Sequence, residues 1–267
     1  MIDDERLRFL AHRYETEDFL SGDPSWFMHR VSGCANQEAM AFIASSLSYG
    51  SRKQFMPKIA DILNWSGGEV DAWVRDGLYE EHFHAQDQHC FYRLYTMGTM
   101  HHFLSVYRRL LHEHGTLGSY VRSCATDGLT AVEAICSYFG SHGTKVVIPK
   151  DTKSACKRVC MFLRWMVRSG SPVDLGLWAD FIDRRTLIMP LDTHVMNQAV
   201  SLGLMQTKSA SMSTARRLTE RMAQVFPDDP LLGDFALFGL GVTGARSWKE
   251  LEGVRRSKKE LEGVGRS

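Results

Sequence analysis

Long apolar runs are missing from this sequence of 267 residues. No stretch reaches the roughly 18 uncharged apolar residues that a membrane-spanning helix needs. The start of the chain, Met1-Ile2-Asp3-Asp4-Glu5, is too acidic for a secretory signal peptide. We therefore expect an intracellular protein that does not associate with a membrane.

Cysteine is sparse and irregularly spaced. The six cysteines include no Cys-x-x-Cys pair, and none follows Cys160. Structural zinc sites and disulfide frameworks both depend on characteristic cysteine spacings. We expect reduced thiols that are mostly buried and that bind no metal.

An excess of either charge is also missing. The chain has 32 basic and 31 acidic residues, a formal net charge of +1. Overall composition therefore does not favour a nucleic-acid partner, and only local clustering of charge can do so. Apolar residues make up 44% of the chain and charged residues 24%, as is typical of a folded domain.

Sustained strand alternation is missing as well, since Val146-Val147-Ile148 is the one β-leaning stretch and Pro149 ends it. We predict an all-α fold, compact and multi-helical, with two lobes and a cleft between them. This domain is expected over residues 1–245. Residues 246–267 contain a short basic segment in two near-identical copies, and we expect a mobile tail there. Predicted helices include residues 4–20, 36–47, 54–64, 153–168, 192–202 and 213–225.

Basic residues are concentrated in residues 145–168. This segment has seven lysines and arginines against the single acid Asp151, a local net charge of +6 that would attract phosphates. Lys157 and Arg158 fall in the first turns of the predicted helix at 153–168. An apolar stripe anchors this helix to a core, and it consists of Ala155, Val159, Phe162, Leu163 and Met166.

A carboxylate lies 35 positions after Lys157, where Asp192 begins a predicted helix in Pro190-Leu191-Asp192-Thr193-His194-Val195. A lysine and an aspartate together can break an N-glycosidic bond. The amine attacks the anomeric carbon, and the carboxylate stabilises the positive charge that builds on the sugar. The alternative is that Asp192 is a plain helix cap and Lys157 a surface lysine.

The run Ser154–Arg168, followed by Pro190–Val195, resembles a family of uncharacterised proteins known only as a domain of unknown function. That family in turn resembles a divergent branch of the helix-hairpin-helix DNA glycosylases. Its motifs are most similar to those of the archaeal 8-oxoguanine DNA glycosylase/lyases. The resemblance extends over about residues 30–245.

The resemblance implies a base-excision repair enzyme that acts on an oxidised purine such as 8-oxoguanine, with AP-lyase activity left open. It implies that Lys157 is the nucleophile and that Asp192 assists. It also implies that Asn36–Lys58 forms an early core helix and a following turn, whose loop probes the duplex. The implied partner is duplex DNA with a flipped base, bound by a monomer. Aromatic side chains would stack on that base, and the candidates are Phe42, Tyr49, Trp165 and Trp178.

The sequence departs from the glycosylases at the hairpin Leu-Pro-Gly-Val-Gly, which is replaced by Ile148-Pro149-Lys150-Asp151-Thr152-Lys153. Phosphate contacts are therefore expected from basic side chains, namely Lys150, Lys153, Arg158 and Arg164. Lys153 is also the alternative nucleophile. No cysteine follows Asp192, so the iron-sulfur loop of a related branch is missing and no cofactor is expected.

Two other functions stay open. The helix at 153–168 would also suit a non-enzymatic module that docks on a nucleic-acid backbone. A metal-dependent hydrolase is suggested by His82-Phe83-His84 and His112-Glu113-His114, but i, i+2 spacing points the two rings to different faces of a helix. Since His-Glu-x-x-His is also missing, we expect no metal site.

Overall fold

The computed structural model describes residues 2–206 and 208–242, so the tail predicted at 246–267 lies outside the described residues. Most of the described chain is helical, and the all-α prediction is confirmed. Its α-helices are α1 (Asp4–Tyr14), α2 (Cys34–Leu47), α3 (Arg52–Trp65), α4 (Val70–Arg75), α5 (Met97–His114), α6 (Leu117–Cys124), α7 (Gly128–Ser141), α8 (Lys157–Val167), α9 (Thr193–Ser201), α10 (Met212–Val225) and α11 (Leu232–Val242). Short 3₁₀ helices cover Glu17–Leu20, Pro24–His29, Leu78–Glu81 and Arg184–Thr186.

Side-chain caps fix the starts of many of these helices. In each case an oxygen of the residue before the helix accepts the backbone N–H three residues later, which satisfies a donor that has no partner within the helix. The residues that cap in this way are Asp3, Thr96, Thr116, Asp127, Asp192 and Ser211. Helices α3 and α8 start without such a bond.

A small antiparallel hairpin, β1 (Cys90–Tyr92) and β2 (Tyr95–Thr96), precedes α5. Arg93 and Leu94 form the two-residue turn between the strands. This hairpin was not predicted from the sequence, because strands of three and two residues are too short to show alternation.

Helix α2 is the central element of the core. Small residues such as Ala39, Ala41 and Ala44 are fully buried and let neighbouring helices approach closely. The Phe42 ring lies in the middle of an aromatic cluster, with centroids 5.0 Å from Tyr107 and 5.1 Å from Phe139. Phe42 is therefore a core residue, which corrects its prediction as a base-stacking residue.

Helix α8 begins later than predicted, at Lys157 rather than at residue 153. Cys156 adopts a left-handed conformation with φ 45°, which a continuous right-handed helix does not allow. Ser154 instead pairs with Ser211 in an isolated antiparallel bridge. The predicted apolar stripe of α8 is buried, so the anchoring role assigned to it is confirmed.

Helices from the two ends of the described chain pack together, since α11 contacts both α1 and α9. A cleft separates this group from the connection between α2 and α3 and from the start of α8. The core below the cleft is continuous and includes buried residues of both groups, such as Leu10, Phe42 and Leu237. None of the described helices is long and apolar enough to cross a membrane.

Candidate active site

The cleft has a volume of about 390 Å³, within the range of roughly 300–1,000 Å³ that is usual for small-molecule sites. The first turns of four helices meet at its wall. They contribute Arg52 from α3, Lys157 from α8, the cap Asp192 of α9 and Asp234 from α11. The backbone N–H groups at a helix start carry partial positive charge. A cleft wall where four helix starts meet therefore suits a ligand whose negative charge lies near that wall.

Lys157 and Asp192 meet in this cleft, with Nζ 3.9 Å from Oδ2. Their side chains are 31% and 15% exposed, so both are partly shielded and still reachable from the solvent. The other oxygen of Asp192, Oδ1, accepts the Val195 N–H at 2.8 Å and caps α9. The predicted cap is therefore confirmed, and the same carboxylate faces the lysine with its second oxygen.

The segment before α8 holds Lys157 in place at the first position of its helix. The Ala155 N–H donates to the carbonyl of Ala210 at 3.1 Å, which ties this segment to the start of α10. The Cys156 sulfur lies 3.9 Å from the Cys136 sulfur on α7. These two attachments fix the start of α8, and with it the lysine, relative to α7 and α10.

Aromatic and apolar side chains form much of the cleft. Phe19, Tyr49, Phe55, Met161 and Phe238 line it. Phe55 is almost fully buried, whereas Phe19, Tyr49 and Phe238 are partly exposed and present accessible surface to the cleft. These rings provide apolar surfaces of the kind that stack on a planar ligand.

Tyr49 is the one predicted base-stacking residue that lines the cleft. Trp165 is 0% exposed and Trp178 is 2% exposed, and both lie in the core. Trp178 also donates its indole N–H to the buried Glu38 carboxylate at 2.9 Å. Like Phe42, these two residues are corrected from base-pocket candidates to core residues.

Charged side chains in the cleft occur as three opposite pairs. Besides Lys157 and Asp192, Arg52 lies 3.0 Å from Asp23, and Arg164 pairs closely with Asp234. Burial, against the lowering effect of Arg164 and with a smaller contribution from the nearby Asp192, raises the pKa of Asp234 to about 6. With three cations and three carboxylates, the cleft has no formal net charge when all six are ionised.

Arg164 is not a surface cation. It is 3% exposed, and its guanidinium contacts Asp174 at 3.2 Å as well as Asp234. Arg168, from the same basic segment, is equally buried and pairs with Asp229 at 2.8 Å. The prediction that Arg164 contacts DNA is therefore corrected, because its charge is directed at internal carboxylates.

The remaining predicted phosphate ligands lie closer to the solvent. Arg158 is half-buried, and its Nη1 donates to the Ser46 carbonyl at 2.7 Å. Lys150 and Lys153 are exposed and do not line the cleft. Lys157 is thus the candidate nucleophile that faces Asp192, and the phosphate-binding roles of Lys150, Lys153 and Arg158 stay predictions.

Several residues of the cleft were missed by the sequence analysis. Arg52, His194 and Phe238 come from three separate elements and are brought together by tertiary packing. A usable signal existed for Arg52, since Gly50-Ser51 precedes a helix whose first two residues, Arg52 and Lys53, are basic. Cations are unfavourable at the positive end of a helix, so their presence there is itself informative.

Histidines do not assemble into a metal site within residues 2–206 and 208–242, where no group of three His, Cys, Asp or Glu side chains is placed to hold a metal ion. His82 stacks on Trp65 with ring centroids 4.3 Å apart. His112 contacts the carbonyl of Arg75 at 3.0 Å. All six cysteines are free, but Cys34, Cys90 and Cys124 are exposed, so the expectation of mostly buried thiols was wrong for these three.

Comparison with known proteins identifies a family and no individual relative. The model of the family DUF2400, described as a protein of unknown function, matches residues 23–243. No curated protein and no solved structure matches the chain. The match covers most of the sequence, and the chain belongs to this family.

Proposed function

We propose that this member of the DUF2400 family is a DNA base-excision glycosylase with lyase activity, which acts on an oxidised purine such as 8-oxoguanine through Lys157 and Asp192. The observation that carries the proposal is the 3.9 Å approach of the Lys157 amine to the Asp192 carboxylate inside a cleft. The two residues are 35 positions apart and come from different helices. A cap for α9 needs no lysine beside it, so the pairing is not explained by capping alone.

The composition of the cleft fits a flipped nucleotide. A purine base is flat and uncharged, and the partly exposed rings of Tyr49 and Phe238 offer it apolar surfaces. The charges of the cleft are paired with one another and therefore do not exclude a neutral base. Its volume of about 390 Å³ leaves room for a base and its sugar.

Negative charge would lie at the wall and rim rather than within the cleft. The starts of α3 and α8 have no side-chain cap, so their first N–H groups are available for the phosphates beside the flipped nucleotide. Lys53, Lys150 and Lys153 are exposed on the surface and add positive charge outside the cleft. A neutral interior with these lysines outside it matches a nucleotide whose base is buried and whose phosphates stay near the solvent.

The chemistry follows from the two side chains. The unprotonated Lys157 amine forms a bond to C1′ of the sugar while the bond from C1′ to the base nitrogen breaks. The departing base takes that electron pair and a proton, which balances the proton lost by the amine. Asp192 stabilises the positive charge that builds on the sugar in the transition state. Opening of the sugar ring gives a Schiff base, and loss of a C2′ proton then expels the 3′ phosphate.

Borohydride trapping tests this proposal, because it reduces the Schiff base to a stable covalent adduct. We expect the wild-type protein to be trapped on an 8-oxoguanine duplex and Lys157→Ala to give no adduct, because the attacking amine is gone. Lys153→Ala is the matched control. It removes a nearby lysine that does not line the cleft and should leave trapping intact.

Two other results would contradict the proposal, and a third would show that the Lys157→Ala variant cannot test it. Trapping of Lys157→Ala with loss in Lys153→Ala would move the nucleophile to Lys153. Tight DNA binding without trapping or base release on any lesion, in duplex or single strands, would indicate a non-enzymatic binding module. Thermal unfolding of Lys157→Ala far below the wild type would attribute the loss to misfolding rather than to chemistry.

A further inference from the structure

The turn of the β1–β2 hairpin has two unusual features. Leu94 is 76% exposed, the highest value among the large hydrophobic side chains of the described residues. Arg93, beside it, has φ 52°, in the left-handed region where a two-residue hairpin turn usually has glycine. That conformation is unfavourable for a residue with a Cβ. Strained residues of this kind tend to occur where a protein contacts a ligand.

The hairpin turn is attached to the wall of the cleft. The Leu94 N–H donates to the Tyr49 hydroxyl at 3.2 Å, and the Tyr92 hydroxyl donates to the Tyr49 carbonyl. The Arg93 guanidinium lies 5.3 Å from the centroid of the Tyr49 ring. Since Tyr49 also lines the cleft, the exposed leucine is held near the cleft mouth.

Gly50 makes this close approach possible. A Cβ at Gly50 would lie 2.6 Å from Nη1 of Arg93 and 3.0 Å from the Tyr92 hydroxyl. The Arg158 guanidinium also lies 5.3 Å from the centroid of the Tyr49 ring. The turn is therefore held by a network of contacts at the cleft wall, although the Leu94 side chain itself extends into the solvent.

The surroundings of Leu94 indicate which partner would cover it. A protein-binding surface usually needs a contiguous apolar patch of several hundred Å², whereas the residue beside Leu94 at this turn is the exposed cation Arg93. One apolar side chain flanked by a cation suits a DNA duplex, because leucine can insert between base pairs while the cation contacts a phosphate.

We propose that Leu94 is a wedge that enters the base stack of duplex DNA and fills the gap left by the nucleotide in the cleft. Arg93 lies beside it and contacts the adjacent backbone. This inference rests on the proposed function, since a wedge is needed only when a nucleotide leaves the stack. Unstacking a base is unfavourable, and the apolar contacts of Leu94 with the neighbouring bases would offset part of that cost.

The test compares Leu94→Ala with Leu78→Ala on duplex and single-stranded DNA. Leu78 is another exposed leucine, at 47%, that does not line the cleft. We expect Leu94→Ala to reduce borohydride trapping on an 8-oxoguanine duplex by about tenfold or more, because the unstacking penalty is no longer offset. Trapping on the same strand without its complement should be unchanged, since a single strand has no paired stack to open. Leu78→Ala should match the wild type on both.

A second readout separates failure of the wedge from failure of the proposed function. Fluorescence of 2-aminopurine placed at the target position of a duplex rises when that base leaves the stack, whether or not excision follows. If the wild type neither is trapped on the 8-oxoguanine duplex nor releases its base, the proposed excision is refuted. The wedge is then still supported by a fluorescence rise that Leu94→Ala loses. It is overturned by a rise that this variant keeps, by the absence of any rise, or by equal effects of Leu94→Ala on duplex and single-strand trapping.

Discussion

Two basic residues lie in the first turn of helix α8 and two lie at or near its C-terminal end. The residues at the two ends differ in burial and in the number of carboxylates that they contact. At the start, Lys157 is 31% exposed and has the single carboxylate Asp192 at 3.9 Å. At the end, Arg168 is buried and contacts three carboxylates, those of Glu15 and Asp229 at 2.7 and 2.8 Å and that of Asp174. A buried cation whose partners all lie within the protein serves the fold, because its removal leaves those carboxylates unpaired. Positive charge with one distant partner at a cleft stays available to a ligand.

Arg164 links the two ends of the helix. It lines the cleft and is also part of the buried network, through Asp174 and Asp234. The cleft wall at Arg164 is therefore continuous with a buried set of ion pairs. Such a support is what a site needs if its reacting groups are to stay in place when a ligand binds.

The largest expected effect on stability comes from breaking the buried end. Arg168→Met leaves three carboxylates without this cation and should lower the free energy of unfolding by about 3–5 kcal/mol. Lys157→Met, at the other end of the same helix, removes a partly exposed pair and should change it by less than about 1 kcal/mol. Urea unfolding of both variants measures the difference. Equal losses of unfolding free energy in the two variants would mean that Arg168 contributes no more to the fold than Lys157 does.

The second largest expected effect separates the helix-capping role of Asp192 from its proposed role in stabilising the transition state. Asn caps a helix about as well as Asp, so Asp192→Asn should keep the fold. Loss of its charge should lower the rate of trapping by roughly 10²–10³-fold, the range seen when one group that stabilises a transition state is removed. The measurement is single-turnover trapping together with thermal unfolding.

Asp127→Asn is the matched control for this change. Asp127 caps α7 with the same 2.8 Å bond to the N–H three residues later, and it does not line the cleft. It should show the same small change in stability and an unchanged rate. An equal loss of rate in both variants would show that Asp192 acts only through the fold.

The smallest expected effect concerns Glu38, a buried carboxylate whose contacts are N–H groups rather than a cation. It accepts the N–H groups of Leu117 at 2.9 Å and Gly118 at 3.1 Å, and that of the Trp178 indole. Burial raises its pKa from 4.5 to about 7, against the lowering effect of these donors. The folded protein therefore holds the Glu38 proton more tightly than the unfolded chain does.

The stability that this proton contributes is complete below the unfolded pKa and is lost as the pH rises through about 7. Between about pH 5 and pH 8, the free energy of unfolding of the wild type should fall by up to about 3 kcal/mol more than that of Glu38→Gln. The glutamine variant has no proton to lose at this position. Urea unfolding of both proteins at the two pH values gives this difference. If the two proteins lose the same amount, Glu38 does not titrate in this range.

Part of the site was predictable because its signals are local. An aspartate before an amphipathic segment predicts a helix cap, and Asp192 caps α9 as expected. Apolar spacing predicted the buried face of α8. The start of that helix was misplaced by four residues, because periodicity does not report the left-handed conformation of Cys156.

Other parts could not be predicted because their partners are distant in sequence. Asp234 is 70 residues from Arg164, and Glu15 is 153 residues from Arg168. The sequence does not distinguish buried from accessible cations within residues 145–168, and the structure divides them into these two groups. The aromatic residues behave in the same way, since only packing decides whether a ring such as Tyr49 or Trp165 faces a cleft or the core.

The sequence by itself determined the helical class, many helix starts and the buried face of α8, because capping and apolar periodicity act over a few residues. Only the tertiary structure decided which cations stay accessible, where the cleft forms and which residue Lys157 faces. The physical reason is that the solvation and partners of a charge depend on every element packed around it, and those elements come from both ends of the chain.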